Sequence, residues 1–174
     1  MATLWIIDAY NFIRQSRRFS ELEAHDGPRG RRAALEWLGK FTAKTGERVS
    51  VVFDAYSGLH DKMLEERYRG LTVFSSRGGY TADEEIIAMV KQNRERAVVI
   101  SSDRAILEAA IKAGASILKS DEFERELAKI LQEEPSDKGD EEIQARARRR
   151  RTKGRAFQPP KEKKKALALL RKYQ

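Results

Sequence analysis

Four aspartates stand where apolar, strand-like runs end. Asp8 closes Leu4-Trp5-Ile6-Ile7, Asp54 closes Val49-Ser50-Val51-Val52-Phe53, and Asp103 follows Ala97-Val98-Val99-Ile100-Ser101-Ser102. Asp83 comes after Leu71-Thr72-Val73-Phe74 and the turn Ser75-Ser76-Arg77-Gly78-Gly79-Tyr80. In an open parallel sheet the carboxyl ends of the strands share one edge, and ligands bind there. Neighbouring strands are only about 4.8 Å apart, so acids at their ends converge. Crowded carboxylates either take up protons or hold a cation. A divalent cation held by hard oxygen donors, acting on phosphate, is the chemistry these residue types suit.

Each acid also has an ordinary explanation. Asp8 and Asp54 suit turns after strands, Asp83 falls in a first helical turn where it complements the macrodipole, and Asp103 can be an N-cap. Four at one edge, on at least three strands, favour the joint functional reading. Asn11, one helical step beyond Asp8, can orient water or a phosphate oxygen, or simply cap a turn. Ser101 and Ser102 can orient a carboxylate, donate to phosphate, or cap a helix.

The elements that would position these groups alternate. Apolar, Val/Ile-rich runs predict strands near 3–8, 49–54, 71–75, 97–102 and 115–119, buried on both faces. Helices are predicted near 29–45, 60–69, 81–94, 103–113 and 120–134. Thr81 and Glu84 form a capping-box pair, and Gly114 supplies a helix stop. The pattern predicts an α/β fold, a doubly wound parallel sheet of about five strands over residues 1–134. Trp5 and Trp37 are expected in the core.

Residues 135–174 differ in kind. They hold 14 Lys/Arg and 5 Asp/Glu, against 21 and 22 in residues 1–134, so the net charge of +8 belongs to this basic C-terminal tail. Arg146-Ala147-Arg148-Arg149-Arg150-Arg151 is expected to be disordered alone. Ala166, Leu169, Leu170 and Tyr173 instead share one helical face that can dock on the body or on a partner. A tail of this charge suits a polyanion, nucleic acid before an anionic membrane surface. The chain has no cysteine, which excludes disulfides and thiolate zinc sites, and two histidines argue against a histidine-rich metal site. No apolar run approaches the roughly 20 residues of a membrane span, and the first is broken by Asp8. A cytoplasmic location is expected.

Four segments then resemble one known family. Trp5-Ile6-Ile7-Asp8-Ala9-Tyr10-Asn11-Phe12-Ile13 resembles the opening D-G-Y-N motif of NYN domains, the PIN-like nucleases, with Ala9 where Gly is usual. Val51-Val52-Phe53-Asp54-Ala55 resembles their second-strand motif. Thr81-Ala82-Asp83-Glu84-Glu85-Ile86-Ile87 resembles the T-A-D-x-x-I of the YacP-like branch, and Val98-Val99-Ile100-Ser101-Ser102-Asp103 resembles V-V-T-S-D. The resemblance implies a PIN-like sheet of order 3-2-1-4-5 and an endoribonuclease using Mg²⁺ or Mn²⁺. It maps the metal onto Asp8, Asp83 and Asp103, with Asp54 supporting the cluster and Asn11 and Ser102 positioning substrate.

An acidic site needs cations around it to hold RNA. Arg14, Arg17, Arg77 and Arg104 lie beside the motifs, with Tyr80 as a residue that could stack a base. Arg17 can equally belong to a solvated helix face. The ribosome or another ribonucleoprotein is the expected partner of the tail. A catalytically inactive RNA- or ribosome-binding adaptor of the same fold is the alternative. A phosphoacceptor domain is disfavoured, because only Asp8 follows the first strand and Tyr10 stands where a phosphatase motif wants a second Asp.

Overall fold

The computed structural model describes residues 2–54, 63–133 and 160–174. Its sheet has six strands: β1 (Leu4–Asp8), β2 (Arg48–Phe53), β3 (Leu64–Tyr68), β4 (Leu71–Ser75), β5 (Ala97–Ile100) and β6 (Ser116–Leu118). Their spatial order is β3-β4-β2-β1-β5-β6. All pairs are parallel except β3 with β4. Without β3, the five parallel strands run in the expected order 3-2-1-4-5. β1 is central, between β2 and β5, so Asp8 sits in the middle of the carboxyl edge.

Alternation along the strands makes two cores. Trp5 and Ile7 face one layer with Val51, Phe53, Val98 and Ile100. Leu4 and Ile6 face the other with Val52, Ala97 and Val99. The first layer holds α1 (Ala9–Gln15), α2 (Arg17–His25), α3 (Gly27–Thr45) and α6 (Ser120–Leu131), and the second holds α4 (Ala82–Asn93) and α5 (Arg104–Lys112). Trp5 and Trp37 are buried, as expected, and the Trp37 indole N–H donates to Glu133 at 2.8 Å. Glu133 also meets Lys40 at 2.7 Å and Arg18 at 3.1 Å. The hydrogen bond from Lys40 chiefly, with those from Trp37 and Arg18, holds its carboxyl down at about 2 against the cost of burial.

The helix expected near 60–69 is a correction. Residues 60–62 lie outside the described residues, and 64–68 form the antiparallel edge strand β3. Its Leu-Glu-Glu-Arg composition favours a helix locally. The hairpin overrides that preference: Arg69 and Gly70 both take positive φ, 48° and 81°, the two-residue turn that matches strand twist. The edge strand is exposed apart from half-buried Tyr68, with even Leu64 facing solvent, so side-chain burial contributes little to its placement. Residues 9–25, left unassigned by sequence, form α1 and α2, joined at Ser16. The Ser16 hydroxyl caps α2 by accepting from Phe19 N–H at 3.4 Å.

The basic run 146–151 lies outside the described residues. Beyond it, α7 (Lys161–Arg171) packs against β6 and α6, with Ala166 and Leu170 fully buried in the first core layer. Tyr173 donates its hydroxyl to Glu47 at 2.6 Å, which pushes the phenol up to about 12. Lys163 pairs with Glu122. The apolar face identified in the sequence thus docks on the body. Leu170→Ala should therefore lower unfolding free energy by about 2–5 kcal/mol in urea. A wild-type midpoint and slope would show that α7 contributes nothing to the fold.

Candidate active site

Asp8 is both the last residue of β1 and the N-cap of α1, which explains its burial and its orientation. Its Oδ1 accepts from Asn11 N–H at 3.3 Å. Its Oδ2 accepts from the Ser101 hydroxyl at 2.9 Å. Ser101, fully buried after β5, also accepts from Asp103 N–H at 3.0 Å. One hydroxyl therefore ties the first acid to the backbone of the fourth, across two neighbouring strands.

A second set of bonds fixes Asn11. Its side-chain Oδ1 accepts from Ser102 N–H and from the Ser120 hydroxyl, both at 2.8 Å. Ser120 N–H in turn donates to the Ser102 hydroxyl at 3.3 Å. With the carbonyl doubly occupied, the amide has one orientation, and Nδ2 has no protein acceptor among the described residues. Asn11 thus offers the edge a donor rather than an acceptor. Sequence reasoning missed Ser120 in this role. The only signal was a serine directly after the fifth predicted strand, and it reads as a helix cap.

Asp54 is exposed, and its Oδ1 accepts from Ala82 N–H at 2.7 Å. It thereby pins the N-terminus of α4 to the end of β2. The Thr81 and Glu84 capping box fixes the same turn, with Thr81 N–H donating to Glu84 at 2.9 Å and Glu84 N–H to Thr81 at 3.2 Å. Asp83 lies in that turn, held at the edge by both devices. Asp103 caps α5, its Oδ1 accepting from Ala105 and Ile106 N–H at 2.8 and 3.1 Å.

The four acids are close enough to repel one another. Burial, first, pushes the Asp8 carboxyl up to about 6, against the bonds from Ser101 and Asn11, with Asp83 and Asp54 adding to the rise. Asp83 is also raised, by burial first and then by Asp103, Asp54 and Glu84. Among the described residues, no three acidic or histidine side chains stand together as a ready cage for a metal ion. Aspartate carboxylates are the hard oxygen donors that Mg²⁺ or Mn²⁺ would take, ions that keep several bound waters and do not need a cage made wholly of protein.

The cations expected around the site are variously engaged. Arg14 is exposed, with its guanidinium 5.3 Å from the Tyr10 ring. Arg17 meets Glu21 at 3.8 Å, and Arg104 meets Glu108 at 2.7 Å with its side chain almost wholly in solvent. Arg77 is placed between Glu85, 3.1 Å away, and the Tyr80 ring, 3.5 Å away. Sequence reasoning passed over Arg31, whose guanidinium lies 4.2 Å from the Phe53 ring beside Asp54.

Residues 5–171 match the model of the YacP-like NYN domain. The chain is 27% identical over 149 residues to the uncharacterized protein YacP of Bacillus subtilis, covering 76% of this chain and 86% of that one. The crystal structure of Rae1 (YacP) from Bacillus subtilis is similar with a TM-score of 0.61 at 24% identity, over 99% of this chain and 90% of that one. The crystal structure of a mutant Rae1, with one tryptophan replaced by leucine, matches with the same score of 0.61 at 22% identity, over 87% and 85%. At these identities the structural likeness shows the fold.

A raised carboxyl costs native-state stability. Asp8 has a folded value above its unfolded one, so the cost is complete above about pH 6, shrinks as pH falls, and is gone below 3.8. The shift corresponds to at most about 3 kcal/mol. In EDTA, Asp8→Asn should melt a few degrees above wild type at pH 7.5, with the difference narrowing towards pH 4. Thermal melts across that range test this, and a variant less stable at pH 7.5 than at pH 4.5 relative to wild type would contradict it.

Proposed function

We propose that the chain, which belongs to the YacP-like NYN domain family and so has a nuclease-type fold, is a metal-dependent endoribonuclease. The observation that carries this is the buried Asp8 carboxylate, held by Ser101 and Asn11 at the centre of the strand edge and raised in part by Asp83 and Asp54. Its bonds cap α1 and tie β1 to β5 yet leave the carboxyl raised, a cost that binding a cation would offset. Asp8, Asp83 and Asp103 would hold Mg²⁺ or Mn²⁺. When bound, the ion would polarise a water and neutralise charge gathering on the phosphate.

The chain's own residues supply the rest. Ser101 keeps Asp8 in one rotamer and couples it to the Asp103 backbone. Asp54 holds α4, and with it Asp83, at the edge. Asn11, fixed by Ser102 and Ser120, turns its Nδ2 donors to a non-bridging phosphate oxygen. Arg14, Arg17, Arg77 and Arg104 contribute cationic surface for the RNA backbone. Hydrolysis by water would leave a 5′-phosphate and a 3′-hydroxyl. The basic residues between α6 and α7 would supply sequence-independent attachment to RNA, the ribosome or another ribonucleoprotein, in the cytoplasm.

End-labelled single-stranded RNA should be cut in Mg²⁺ or Mn²⁺ and remain intact in EDTA. Asp8→Asn should reduce cleavage by at least about a hundredfold while keeping its fold, on the scale of losing a central electrostatic group. Mg²⁺ should raise the melting temperature of wild type, by mass action on the native state. That rise should shrink in Asp83→Asn and Asp103→Asn. Full cleavage by carefully purified Asp8→Asn, or an equal thermal rise in all three proteins, would sink the assignment.

The charge distribution generates a separate expectation. Replacing Arg148, Arg149, Arg150 and Arg151 by alanine should weaken RNA binding and flatten its dependence on salt. On a single strand the log–log slope changes by about 0.7 for each phosphate that is no longer neutralised. Cleavage at saturating RNA should be unchanged. An unaltered salt slope would show that these arginines do not touch RNA.

A further inference from the structure

The loop between β4 and α4 carries an aromatic ring presented in an unusual way. Tyr80 is 46% exposed, although large apolar side chains are otherwise mostly buried in the described chain. One side of its ring is covered, because the Arg77 guanidinium carbon stands 3.5 Å from the ring centroid. Arg77 is itself held from behind. Its Nε lies 3.1 Å from Oε1 of Glu85, whose side chain is only 9% exposed. Neither atom has an aligned hydrogen-bond partner, so the contact is ionic. A buried carboxylate left without its cation is costly, which keeps Arg77 in place.

The backbone beneath the ring is equally fixed. Tyr80 N–H donates to the Arg77 carbonyl at 3.1 Å, closing a turn in which Gly79 takes a φ of 79°. A side chain at position 79 would be strained in that conformation. Immediately afterwards come Thr81, locked in its capping box, and Ala82, bonded to Asp54. Tyr80 therefore stands three residues from Asp83 on a segment tied down at both ends. A flat ring fixed in advance loses little conformational freedom when a flat ligand settles on it.

We propose that the outer face of Tyr80 is a stacking platform for one unpaired base of the RNA, with Glu85 as a positioning residue that acts through Arg77. This rests on the RNA reading above and narrows its substrate class to single strands or unpaired loops. Bases within a helix already have both faces covered by their neighbours, whereas splayed bases stack readily on aromatic side chains. Tyr80 precedes Asp83 by three residues and Ala82, which Asp54 holds, by two, so a base stacked there would bring its backbone towards the acids.

The test is binding of the full-length chain, in EDTA, to a single-stranded RNA carrying 2-aminopurine, and to a duplex of the same length. Stacking quenches 2-aminopurine, giving a signature that a merely structural role would not produce. Tyr80→Ala should weaken single-strand affinity by about tenfold, within the range for loss of one base–aromatic stack, and abolish the quench. Tyr80→Phe should keep both. Arg77→Lys, which retains charge but loses the planar backing, should reduce the quench. Duplex binding should be the same in wild type and both Tyr80 variants. Unchanged single-strand affinity and quench in Tyr80→Ala would overturn the proposal, as would equal losses on single strand and duplex. The two readings fail separately: quenching without metal-dependent cleavage leaves the platform standing and removes the nuclease, while cleavage with a Tyr80-independent quench does the reverse.

Discussion

A carboxylate buried at the end of the central strand is the constraint around which this fold is built. Asp8 cannot reach bulk solvent freely, so its oxygens must be satisfied locally. Asn11 N–H and Ser101 meet that need. Each contributes a second time: Asn11 joins Ser102 and Ser120, and Ser101 joins Asp103. Three chain segments, the junction of β1 with α1 and the ends of β5 and β6, are thereby held in one register at the edge. The bonds only partly offset the cost of burial, since the carboxyl remains raised. Such a balance leaves a crowded acidic edge whose repulsion a bound cation would relieve.

Much of this was legible because its signals were local. Strands buried on both faces show as unbroken Val/Ile runs, and five such runs mark out the parallel core. The caps at Thr81 and Asp103 stood at their expected places. Asp8, Asp54 and Asp103 were visible as acids after strand-like runs, and Asp83 as an acid in a capped first helical turn. The region 64–68 was not legible, because its composition is helical while its conformation is set by the turn at Arg69 and Gly70 and by pairing with β4. Edge strands with little buried apolar surface carry little periodic signal.

The site's supporting groups were only partly visible, for a different reason. Ser101, read as a residue that can orient a carboxylate or cap a helix, does orient Asp8, while Ser120 was read only as a cap and holds Asn11; each acts more than ninety positions away. A serine next to a helix start has a sufficient local explanation, so nothing in its neighbourhood announces a distant partner. Glu85 is a similar case. One position beyond the capping-box glutamate it reads as a solvated acid, yet it is buried against Arg77. Polar residues that work through long-range contacts become visible only when the strands have been ordered.

The tail shows how composition can join two unlike parts. By charge, everything after residue 134 forms one basic block. By packing it does not, because Ala166 and Leu170 are as buried as the central strands. The lysines of α7 reflect this division: Lys163 faces Glu122 and Lys165 reaches the Glu95 carbonyl, so part of the positive charge is engaged by the body itself. The body is close to neutral without the tail, and its exposed edge carries acids that would repel RNA. On the function proposed above, attachment and chemistry would require opposite fields on one chain. Because α6 precedes the arginine run and α7 returns to the core after it, the segments on both sides of that run are fastened to the same body.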